Sequence, residues 1–537
     1  MLILFPLLLA GSLRAEAYLW PSPKLDALES ARFDQDGFNS GLLPAFVIPC
    51  TNSLAGGPED QSGRSNAADW IRTAYHDMAT HNATDGTGGL DASIRFAAEQ
   101  ARPENVGDGF SNTFIPILGF FATNRYVGLA DALAIAAVLA IENCGGPEIA
   151  FRGGRVDASV PDAPGVPEPQ QDLDSHIASF ARQGFTSTEM IALVACGHTF
   201  GGVQHSAFPN IVNDFNTTDD SEGVLHFDTT PITFDNNVAT EYISGTTQNP
   251  LVVGCNDTTN SDKRIFGSDG NATMRSFAAS PALFSSTCAN LFARMIDTVP
   301  AGVQLTDVIA ALPVKPANVE LVLAGDRIQL FGQVRLWNQT ESSAGTVLMR
   351  WDDRLGNTTS TSLGFAGAGA AMGGKLTSAW YGFNATDSTG FISLDAAAGI
   401  ERLSFVVNGR VEDQSGVGFS VQDVYMFSAT SCLLSSSSTS SSESFTGRLD
   451  VAVRAGANLT RLYIETLSQD DVNRVIVTET DIPSPVQPQV VEGSGYEMWS
   501  LNITGGEQMV FNIGAEIGGQ RFSTTQLRGV AQFPACT

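Results

Sequence analysis

The spacing of apolar residues changes once along this chain, at the segment Pro313-Val-Lys-Pro316. Before this point, apolar residues recur with the period of helices that bury one face. After it, short apolar runs are separated by Gly, Asn, Asp and Ser turns, which is typical of strands. The patterns predict helices over 67–78, 129–142, 173–183, 187–196 and 282–296, and strands over 319–323, 327–337 and 403–407. We therefore expect a multidomain protein, mainly α in its first part and β-sandwich-like in its C-terminal region.

The β-rich part contains a candidate internal repeat. The segment 399–409 is similar to 505–514, and each is followed by a Phe-Ser pair and then by a cysteine, Cys432 or Cys536. Two tandem β-sandwiches, over 315–432 and 433–537, fit this pattern. The alternative is a chance similarity between amphipathic strands. The serine-rich tract 435–444 predicts a linker or a long loop.

The first residues have the features of a secretory signal peptide. An apolar run over 2–9 is followed by the small-residue site Ala15-Glu16-Ala17, so cleavage would leave Tyr18 as the first residue. A membrane anchor is the alternative, but the run is shorter than the roughly 18 apolar residues that span a bilayer, and we expect no membrane span. We predict a signal peptide over 1–17 and a secreted, extracellular glycoprotein. Nine N-x-S/T sequons agree with export: Asn82, Asn216, Asn256, Asn271, Asn338, Asn357, Asn384, Asn458 and Asn502.

Seven cysteines in an exported protein predict disulfides and one unpaired thiol. We predict the pairs Cys50–Cys144, Cys255–Cys288 and Cys432–Cys536. Cys196 lies in an apolar run and is predicted to be the buried, unpaired one.

The formal net charge of −28 bears on the choice of partner. Such an acidic surface repels phosphate backbones, so we expect no nucleic acid partner. It disfavours anionic lipid surfaces for the same reason. A monomer is expected.

Two short segments have residues suited to acid–base or ligand chemistry. Arg72 and His76 are four residues apart, so on a helix they lie on the same side, a cation beside a titratable imidazole. Alone, such a pair is also typical of a solvated helix face. In the second segment, Thr186 and Glu189 have capping-box spacing and begin an apolar helix that ends at Gly197-His198. A histidine there is either a core residue or a metal ligand.

Together these segments resemble the plant-type haem peroxidase superfamily. The motifs are Arg-x-x-x-His-Asp over 72–77, Gly-Gly-Leu-Asp-Ala-Ser over 88–93 and Ala-Cys-Gly-His-Thr-Phe-Gly over 195–201. Val-Pro-Glu-Pro-Gln over 166–170 and Phe-Asp-Thr-Thr-Pro over 227–231 resemble the secreted fungal members. The resemblance covers roughly 45–300 and implies a helical haem peroxidase domain over 18–314. It does not reach the β-rich region.

The resemblance implies a role for several residues toward a haem b group. His198 would be the proximal ligand of the haem iron, and Asp269 would accept its other N–H. His76 would be the distal acid–base group and Arg72 the cation that stabilises developing charge. Asn105, six residues after Glu99, would orient His76. The remaining residues implied at the cofactor are Tyr75, Pro167 and Phe227.

The resemblance also implies two calcium ions, because oxygen-rich clusters follow each histidine. The distal ion would be bound by Asp77, Thr87, Gly89, Asp91 and Ser93. The proximal ion would be bound by Thr199, Asp228, Thr230, Thr233 and Asp235. The alternative is that these residues only cap turns.

The range of expected reducing substrates is limited by positions at which this sequence differs from specialised members of the family. Ser65, Asp69 and Gln204 stand where manganese-oxidising members carry acids, and Leu193 stands where lignin-oxidising members carry a surface Trp. Phe227, rather than Trp, disfavours the cytochrome c-oxidising type. We therefore expect hydrogen peroxide and small phenols or aromatic amines as substrates. The alternative is a polysaccharide- or cell-wall-binding protein, in which the peroxidase domain is a scaffold or is targeted by the β-rich tail.

Overall fold

The computed structural model describes residues 22–51, 62–119, 123–212, 223–383, 390–438, 443–507, 509–524 and 527–536. The signal peptide predicted over 1–17 lies outside these residues. Thirteen helices come first in the described part: α1 Pro23–Phe33, α2 Leu42–Val47, α3 Asn66–Met78, α4 Ala97–Gln100, α5 Gly109–Gly119, α6 Leu129–Asn143, α7 Leu173–Arg182, α8 Ser187–Gly197, α9 Asn237–Ser244, α10 Pro250–Val253, α11 Ser261–Gly267, α12 Ala272–Ala279 and α13 Pro281–Asp297. The five helices predicted from apolar spacing are confirmed to within one residue at each end.

Helix α6 is the centre of the helical part. Its residues are apolar on nearly all sides and almost all are buried, as expected of a helix surrounded by others. Helices α3 and α8 belong to the same core. The Ser65 side chain caps α3, and Thr186 with Glu189 forms the predicted capping box of α8, so both helices begin at defined residues. His76 lies on α3, and His198 directly follows α8.

Strands make up most of the chain after α13. They are β4 Val314–Ala324, β5 Arg327–Trp337, β6 Val347–Asp352, β7 Thr358–Ser362, β8 Gly364–Ala371, β9 Leu376–Gly382, β10 Ile392–Asp395, β11 Arg402–Val407, β12 Arg410–Glu412, β13 Phe419–Ser420, β14 Tyr425–Ser428, β15 Cys432–Ser438, β16 Glu443–Arg454, β17 Leu459–Gln469, β18 Val475–Asp481, β19 Tyr496–Gly505, β20 Val510–Ile517, β21 Gln520–Ser523 and β22 Arg528–Gly529. A short helix, α14 Glu341–Ala344, interrupts them, and three short strands occur earlier: β1 Asp36–Gly37, β2 Gly202–Gln204 and β3 Val224–His226. The predicted fold class, helical then β-rich, is confirmed.

One long sheet runs through the whole β region. It has ten strands in the described part, in the order β1-β8-β9-β5-β4-β14-β16-β15, with β10 beside β5 and β19 beside β16. Two five-stranded sheets belong to the same region, β12-β11-β6-β7 with β13, and β18-β17-β20-β21 with β22. Alternate side chains of β14 belong to two different apolar cores. Met426 lies in the core that contains Phe405, whereas Tyr425 and Phe427 lie in the core that contains Phe511. The two sandwiches therefore share a sheet.

The two segments of the candidate repeat lie in similar sheets but differ in pairing. Strands β11 and β20 each lie inside one of the five-stranded sheets, and each pairs antiparallel with the strand that carries the Phe-Ser pair. Leu403, two residues before Phe405, lies opposite Phe419, whereas Ala515, four residues after Phe511, lies opposite Phe522. The internal repeat therefore stays a prediction.

The serine-rich tract is a strand where the sequence predicted a linker. Ser435 to Ser438 belong to β15 and pair in register with Glu443 to Thr446 of β16. Serine carries no apolar period, so composition alone could not distinguish an edge strand from a flexible connection. Residues 439–442 of the predicted linker lie outside the described part of the chain.

The β region is joined to the helical part by a buried ion cluster. Glu29 of α1 accepts hydrogen bonds from Lys315 Nζ (2.8 Å) and from Arg335, and Arg335 also contacts Asp34 at 2.5 Å. These four charged side chains are almost completely buried. In addition, β1, which follows α1, pairs with β8 of the long sheet. The interface between the two parts therefore includes both the buried ion cluster and the pairing of β1 with the long sheet.

Two of the three predicted disulfides are confirmed, Cys50–Cys144 and Cys432–Cys536. The third prediction is wrong: Cys288 of α13 pairs with Cys196 of α8, and Cys255 is exposed and in none of the disulfides. The apolar surroundings of Cys196 reflect the buried contact between these two helices. No helix in the described residues is both long and apolar enough to cross a membrane.

Candidate active site

A cavity of about 900 Å³ separates α3 from α8. His76 and Arg72 line it from α3, and His198 lines it from the end of α8. Helical geometry explains the first pair, since residues four apart lie on one side of a helix. The two motif segments, far apart in sequence, therefore meet across one cavity.

His76 is oriented by a chain of two hydrogen bonds. Its Nδ1 lies 2.8 Å from Asn105 Oδ1, and Asn105 Nδ2 donates to the Glu99 carbonyl at 2.9 Å. Because an amide oxygen only accepts, Nδ1 carries the proton and Nε2 is left as the basic nitrogen. Burial, and then the neighbouring Arg72, lower the pKa of His76 to about 3. The imidazole is therefore neutral at ordinary pH and able to accept a proton.

Arg72 is held beside His76 as a fixed cation. Its Nη2 donates to the Val106 carbonyl at 2.7 Å, and its guanidinium carbon lies 4.5 Å from the centre of the Phe110 ring. Burial lowers the pKa of Arg72 to about 10, so the side chain stays charged at neutral pH. A buried cation with one carbonyl partner retains N–H groups for an anionic ligand in the cavity.

On the opposite wall, His198 follows the last turn of α8. Its Nδ1 lies 2.8 Å from Asp262 Oδ2, which also accepts from Asn249 Nδ2 at 2.8 Å. The Phe227 ring stacks on the imidazole, with ring centres 4.1 Å apart and planes at 13°. Nε2 of His198 is thereby directed away from the carboxylate and is the nitrogen available to a metal.

Asp269 was the predicted partner of His198, and this prediction is wrong. Asp269 lies near the start of α12, where its exposed carboxylate accepts from the N–H groups of Ala272 and Thr273. Asp262 has the predicted role. Helical spacing could have identified it, because Asp262, Ile265 and Phe266 form the buried face of α11.

The remaining residues predicted near the cofactor also line the cavity. Tyr75 and Pro167 are among its lining residues, as is Phe227. Tyr75 is stacked on Phe180, and burial raises the pKa of its phenol. The described residues of the β region contribute nothing to the cavity wall.

The residues predicted for a distal calcium ion lie in a hydrogen-bonded cluster around Asp77. Both oxygens of Asp77 accept hydrogen bonds, from the N–H groups of Asp91, Ala92 and Ile94 and from the Ser93 hydroxyl. An ionised carboxylate has about four lone-pair sites, so these bonds do not by themselves exclude a cation.

Two further residues predicted for the distal ion are also engaged. The Thr87 carbonyl accepts from the Asn82 N–H at 2.9 Å, and the Gly89 N–H donates to the Thr80 hydroxyl at 3.1 Å. The distal calcium ion stays a prediction, because the Thr87 carbonyl has a second lone pair and the bond of the Gly89 N–H leaves the Gly89 carbonyl available.

The proximal cluster fits a cation better. Asp228 Oδ2 is buried and has no hydrogen-bond partner. Around it, Thr230 donates its N–H to Asp228 Oδ1 at 2.9 Å and its hydroxyl to Asp235 Oδ2 at 2.8 Å. The Thr199 hydroxyl donates to the Asp235 carbonyl at 2.7 Å, and Thr233 follows in the same loop. Carboxylate, hydroxyl and carbonyl oxygens are the ligands that calcium prefers. No group of three or more His, Cys, Asp or Glu side chains in the described chain is placed to bind a metal.

The cavity fits a haem group. It presents an imidazole with a buried carboxylate partner on one wall, a neutral imidazole and a cation on the other, and apolar side chains between them. An imidazole whose second nitrogen is bound by a carboxylate is the usual environment of a metal-ligating histidine. His198 would bind the iron, and Phe227 would fix the plane of its ring.

Comparison with known proteins agrees with this geometry. Residues 59–286 match the family model described as Peroxidase. The peroxisomal L-ascorbate peroxidase 5 of Arabidopsis thaliana is 34% identical over 186 residues, which cover 35% of this chain and 61% of that protein. Manganese peroxidase 2 of Phlebia radiata is 30% identical over 187 residues, 33% of this chain and 44% of that protein. The segment 59–286 is therefore a domain of the plant-type haem peroxidase superfamily.

Similarity to one relative extends beyond the peroxidase segment. A WSC domain-containing protein of Arthroderma benhamiae is 37% identical over 374 residues, which cover 68% of this chain. The chain spans 50% of that protein's length. Because the aligned stretch is longer than the peroxidase match, it includes residues outside that domain.

Proposed function

We propose that the protein is a haem peroxidase that uses hydrogen peroxide to oxidise small phenolic or aromatic donors in one-electron steps. The observation that carries this proposal is the pair of facing histidines, each with its own orienting partner. When bound, haem supplies the redox chemistry, and the protein supplies ligation, proton transfer and access.

The residues on the α3 side act on peroxide. His76 Nε2 accepts the proton of the attacking oxygen and returns it to the leaving oxygen, because Asn105 keeps the other nitrogen protonated. Arg72 stabilises the negative charge that grows as the O–O bond breaks. On the other side, Asp262 accepts the Nδ1–H of His198 and increases the basicity of its free nitrogen.

Three finer features belong to this proposal. One calcium ion at the proximal cluster is supported by the buried, unpartnered oxygen of Asp228. Secretion is supported by the sequons, because the seven that lie in described residues are all exposed or half-exposed. Small aromatic donors are supported by the cavity, which is lined by apolar side chains such as Phe208 and Val203.

A polysaccharide- or wall-binding role of the tail stays a prediction. Flat aromatic platforms would favour it, but in the described β region Phe365 is the sole exposed aromatic side chain. The reading in which the peroxidase domain is only a scaffold is not favoured, since its distal and proximal groups are in place.

The test is an absorption spectrum and stopped-flow reaction of the haem-loaded protein with hydrogen peroxide. We expect a Soret band that shifts with one equivalent of peroxide and returns when a phenol is added. His76→Leu should lower the rate with peroxide by about 10²–10⁴-fold, the contribution typical of a general base. His81→Gln is the matched control, because His81 follows the same helix but contacts the Gly88 carbonyl. Equal rates for His76→Leu and the unmodified protein would refute the proposal.

A further inference from the structure

The segment 91–105 holds His76 from two directions. At its start, the N–H groups of Asp91, Ala92 and Ile94 donate to the carboxylate of Asp77, the residue after His76. At its end, Glu99 and Asn105 form the chain that orients His76 Nδ1. A shift of this segment would therefore move both supports of the distal histidine.

The start of the segment needs an external hold. Ala92 has a φ of +63°, in the left-handed region that L-residues with a Cβ avoid. Such a conformation is strained and persists only when neighbouring contacts fix it. The Ala92 N–H donates to Asp77 Oδ2 at 2.7 Å, and its carbonyl accepts from Arg95 Nη1 at 2.7 Å. The backbone N–H of Arg95 also donates to the Ala92 carbonyl at 3.3 Å, and the Ala158 N–H donates to the Asp91 carbonyl at 2.9 Å. The Arg95 side chain is thus one of several groups that hold this turn.

Arg95 also reaches the C-terminal β region. Its Nε and Nη2 donate to the Val472 carbonyl at 3.2 and 3.1 Å, and Nη2 donates to the Ala158 carbonyl at 2.5 Å. The side chain is half-buried and its guanidinium lies over the Phe96 ring, at 4.2 Å from the ring centre. One guanidinium therefore joins the distal segment, a neighbouring loop and the tail.

The tail side of this contact is rigid. Val472 lies in the turn between β17 and β18, where Asp470 Oδ1 accepts from the N–H groups of Val472 and Arg474 at 3.0 and 2.8 Å. On β17 itself, Glu465 is buried and accepts a hydrogen bond from Arg125 of the helical part. The hairpin is therefore attached to the helical part at two points, with its tip at Arg95.

We propose that the C-terminal β region positions the distal histidine, acting through the Val472 carbonyl and Arg95. This inference rests on the proposed function, in which His76 is the acid–base group. Arg95 is a positioning residue, since it acts through the segment 91–105 and is not among the residues that line the cavity.

The first test is amide hydrogen exchange of the full-length protein, which does not depend on activity. Asp470→Ala should loosen the hairpin tip without touching the helical part, and Arg95→Ala should remove the contact itself. We expect exchange of the Asp91–Ile94 amides to rise about tenfold in both, as for loss of a hydrogen bond to a charged group.

Asp353→Ala is the matched control. Asp353 fixes the turn between β6 and β7 in the same way, accepting from the N–H groups of Leu355 and Asn357. It should leave exchange at 91–94 unchanged. Unchanged exchange in Asp470→Ala, or an equal rise in Asp353→Ala, would overturn the proposal.

The second test measures the distal chemistry of the haem-loaded protein. Arg95→Ala and Asp470→Ala should lower the rate constant with hydrogen peroxide by about tenfold, while the KM for a phenol is unchanged. Arg95→Lys should recover part of the loss, because it keeps a charged donor. A lower rate constant together with a higher KM, or no recovery with lysine, would indicate general destabilisation and contradict positioning. If the unmodified protein fails to react with peroxide, the proposed function fails, yet the exchange experiment still decides whether the tail holds the segment.

Discussion

The hydrogen bond between His198 and Asp262 governs the proximal wall at the scale of single residues. A carboxylate that accepts the Nδ1–H gives the imidazole partial anionic character, which stabilises a more oxidised metal on the other nitrogen. Asn249 fixes the same carboxylate oxygen, so the acceptor cannot rotate away without losing a second bond. The chemistry of this wall is thus set by a partner 64 residues further along the chain.

Substituting this carboxylate gives the first prediction. Asp262→Asn in the haem-loaded protein should raise the reduction potential of the iron and lower the peroxidase rate by about 10–100-fold, the usual effect of losing such a partner. Potentiometric titration measures the reduction potential, and stopped-flow absorption measures the rate. Asp269→Asn is the control, since its exposed carboxylate only caps α12. A larger effect at Asp269 than at Asp262 would contradict our assignment.

The low pKa of His76 gives the second prediction. Because burial and Arg72 hold this pKa at about 3, the imidazole stays neutral and the rate with peroxide should be flat from about pH 8 down to about pH 4. The neutral form is favoured only in the folded state, so the same shift removes stability as the pH falls from 6.5 towards 3. Arg72→Leu should raise the pKa of His76, because a positive neighbour is lost, and should therefore move the acidic limb of the rate profile to higher pH. An acidic limb near pH 6.5 in the unmodified protein would show that His76 is not shielded in this way.

At the scale of elements, the loop after β3 links the end of α8 to a candidate cation site. Burial raises the pKa of Asp228 to about 7, with Asp235 and Glu241 adding like charge. Without a cation, the folded protein retains a proton that the unfolded chain releases above about pH 3.8. Stability from this group is therefore present at low pH and lost as the pH rises through about 7.

Calcium binding follows from this titration as the third prediction. Added Ca²⁺ should raise Tm at pH 7 much more than at pH 4, because the ion competes with the proton on Asp228. At about 100 times its Kd the ion contributes about 2.7 kcal/mol. Scanning calorimetry with and without a chelator measures this, and Asp228→Asn should abolish the pH-dependent part. A calcium effect that survives Asp228→Asn would place the ion elsewhere.

The outcome of the sequence predictions at this scale depended on whether the deciding contact was local. Helix α6 was placed from its apolar spacing because its residues are nearly all buried. Strand β15 was missed, since Ser435 to Ser438 are ordered by pairing with β16 and carry no pattern of their own. The Cys196–Cys288 bond was missed because it joins two helices whose packing the sequence does not specify.

The residues of the candidate site could likewise be predicted where local motifs contain them, and not where they depend on contacts between distant segments. His76, Arg72 and His198 could be identified because local motifs contain them. Asp262 required a choice between two acids, which the helical spacing of α11 would have decided. The contact of Arg95 with Val472 crosses between the two parts of the chain and leaves no local signal.

At the scale of the whole molecule, the helical part and the β region are joined by charges that neither could bury alone. Glu29 and Asp34 belong to the helical part, whereas Lys315 and Arg335 belong to the β region, and all four are almost fully buried. An unpaired buried charge costs several kcal/mol, so these side chains can be buried at the interface only because each part supplies the partners of the other. The tail therefore acts as part of one folded unit.

The fourth prediction tests this coupling through Arg335. Replacing Arg335 by Met leaves Glu29 with Lys315 alone and Asp34 without an ion-pair partner in the described chain, and should cost about 3–5 kcal/mol of unfolding free energy. Arg402→Met is the matched control, because the Arg402–Asp352 pair is half-exposed and such pairs contribute about 1 kcal/mol or less. Guanidinium unfolding of the haem-loaded protein should be followed by Soret absorption for the helical part and by tryptophan fluorescence for the β region, which contains Trp337, Trp351, Trp380 and Trp499. Because the cluster spans the interface, Arg335→Met should shift both transitions together, whereas a shift confined to one signal would mean that the two parts unfold independently.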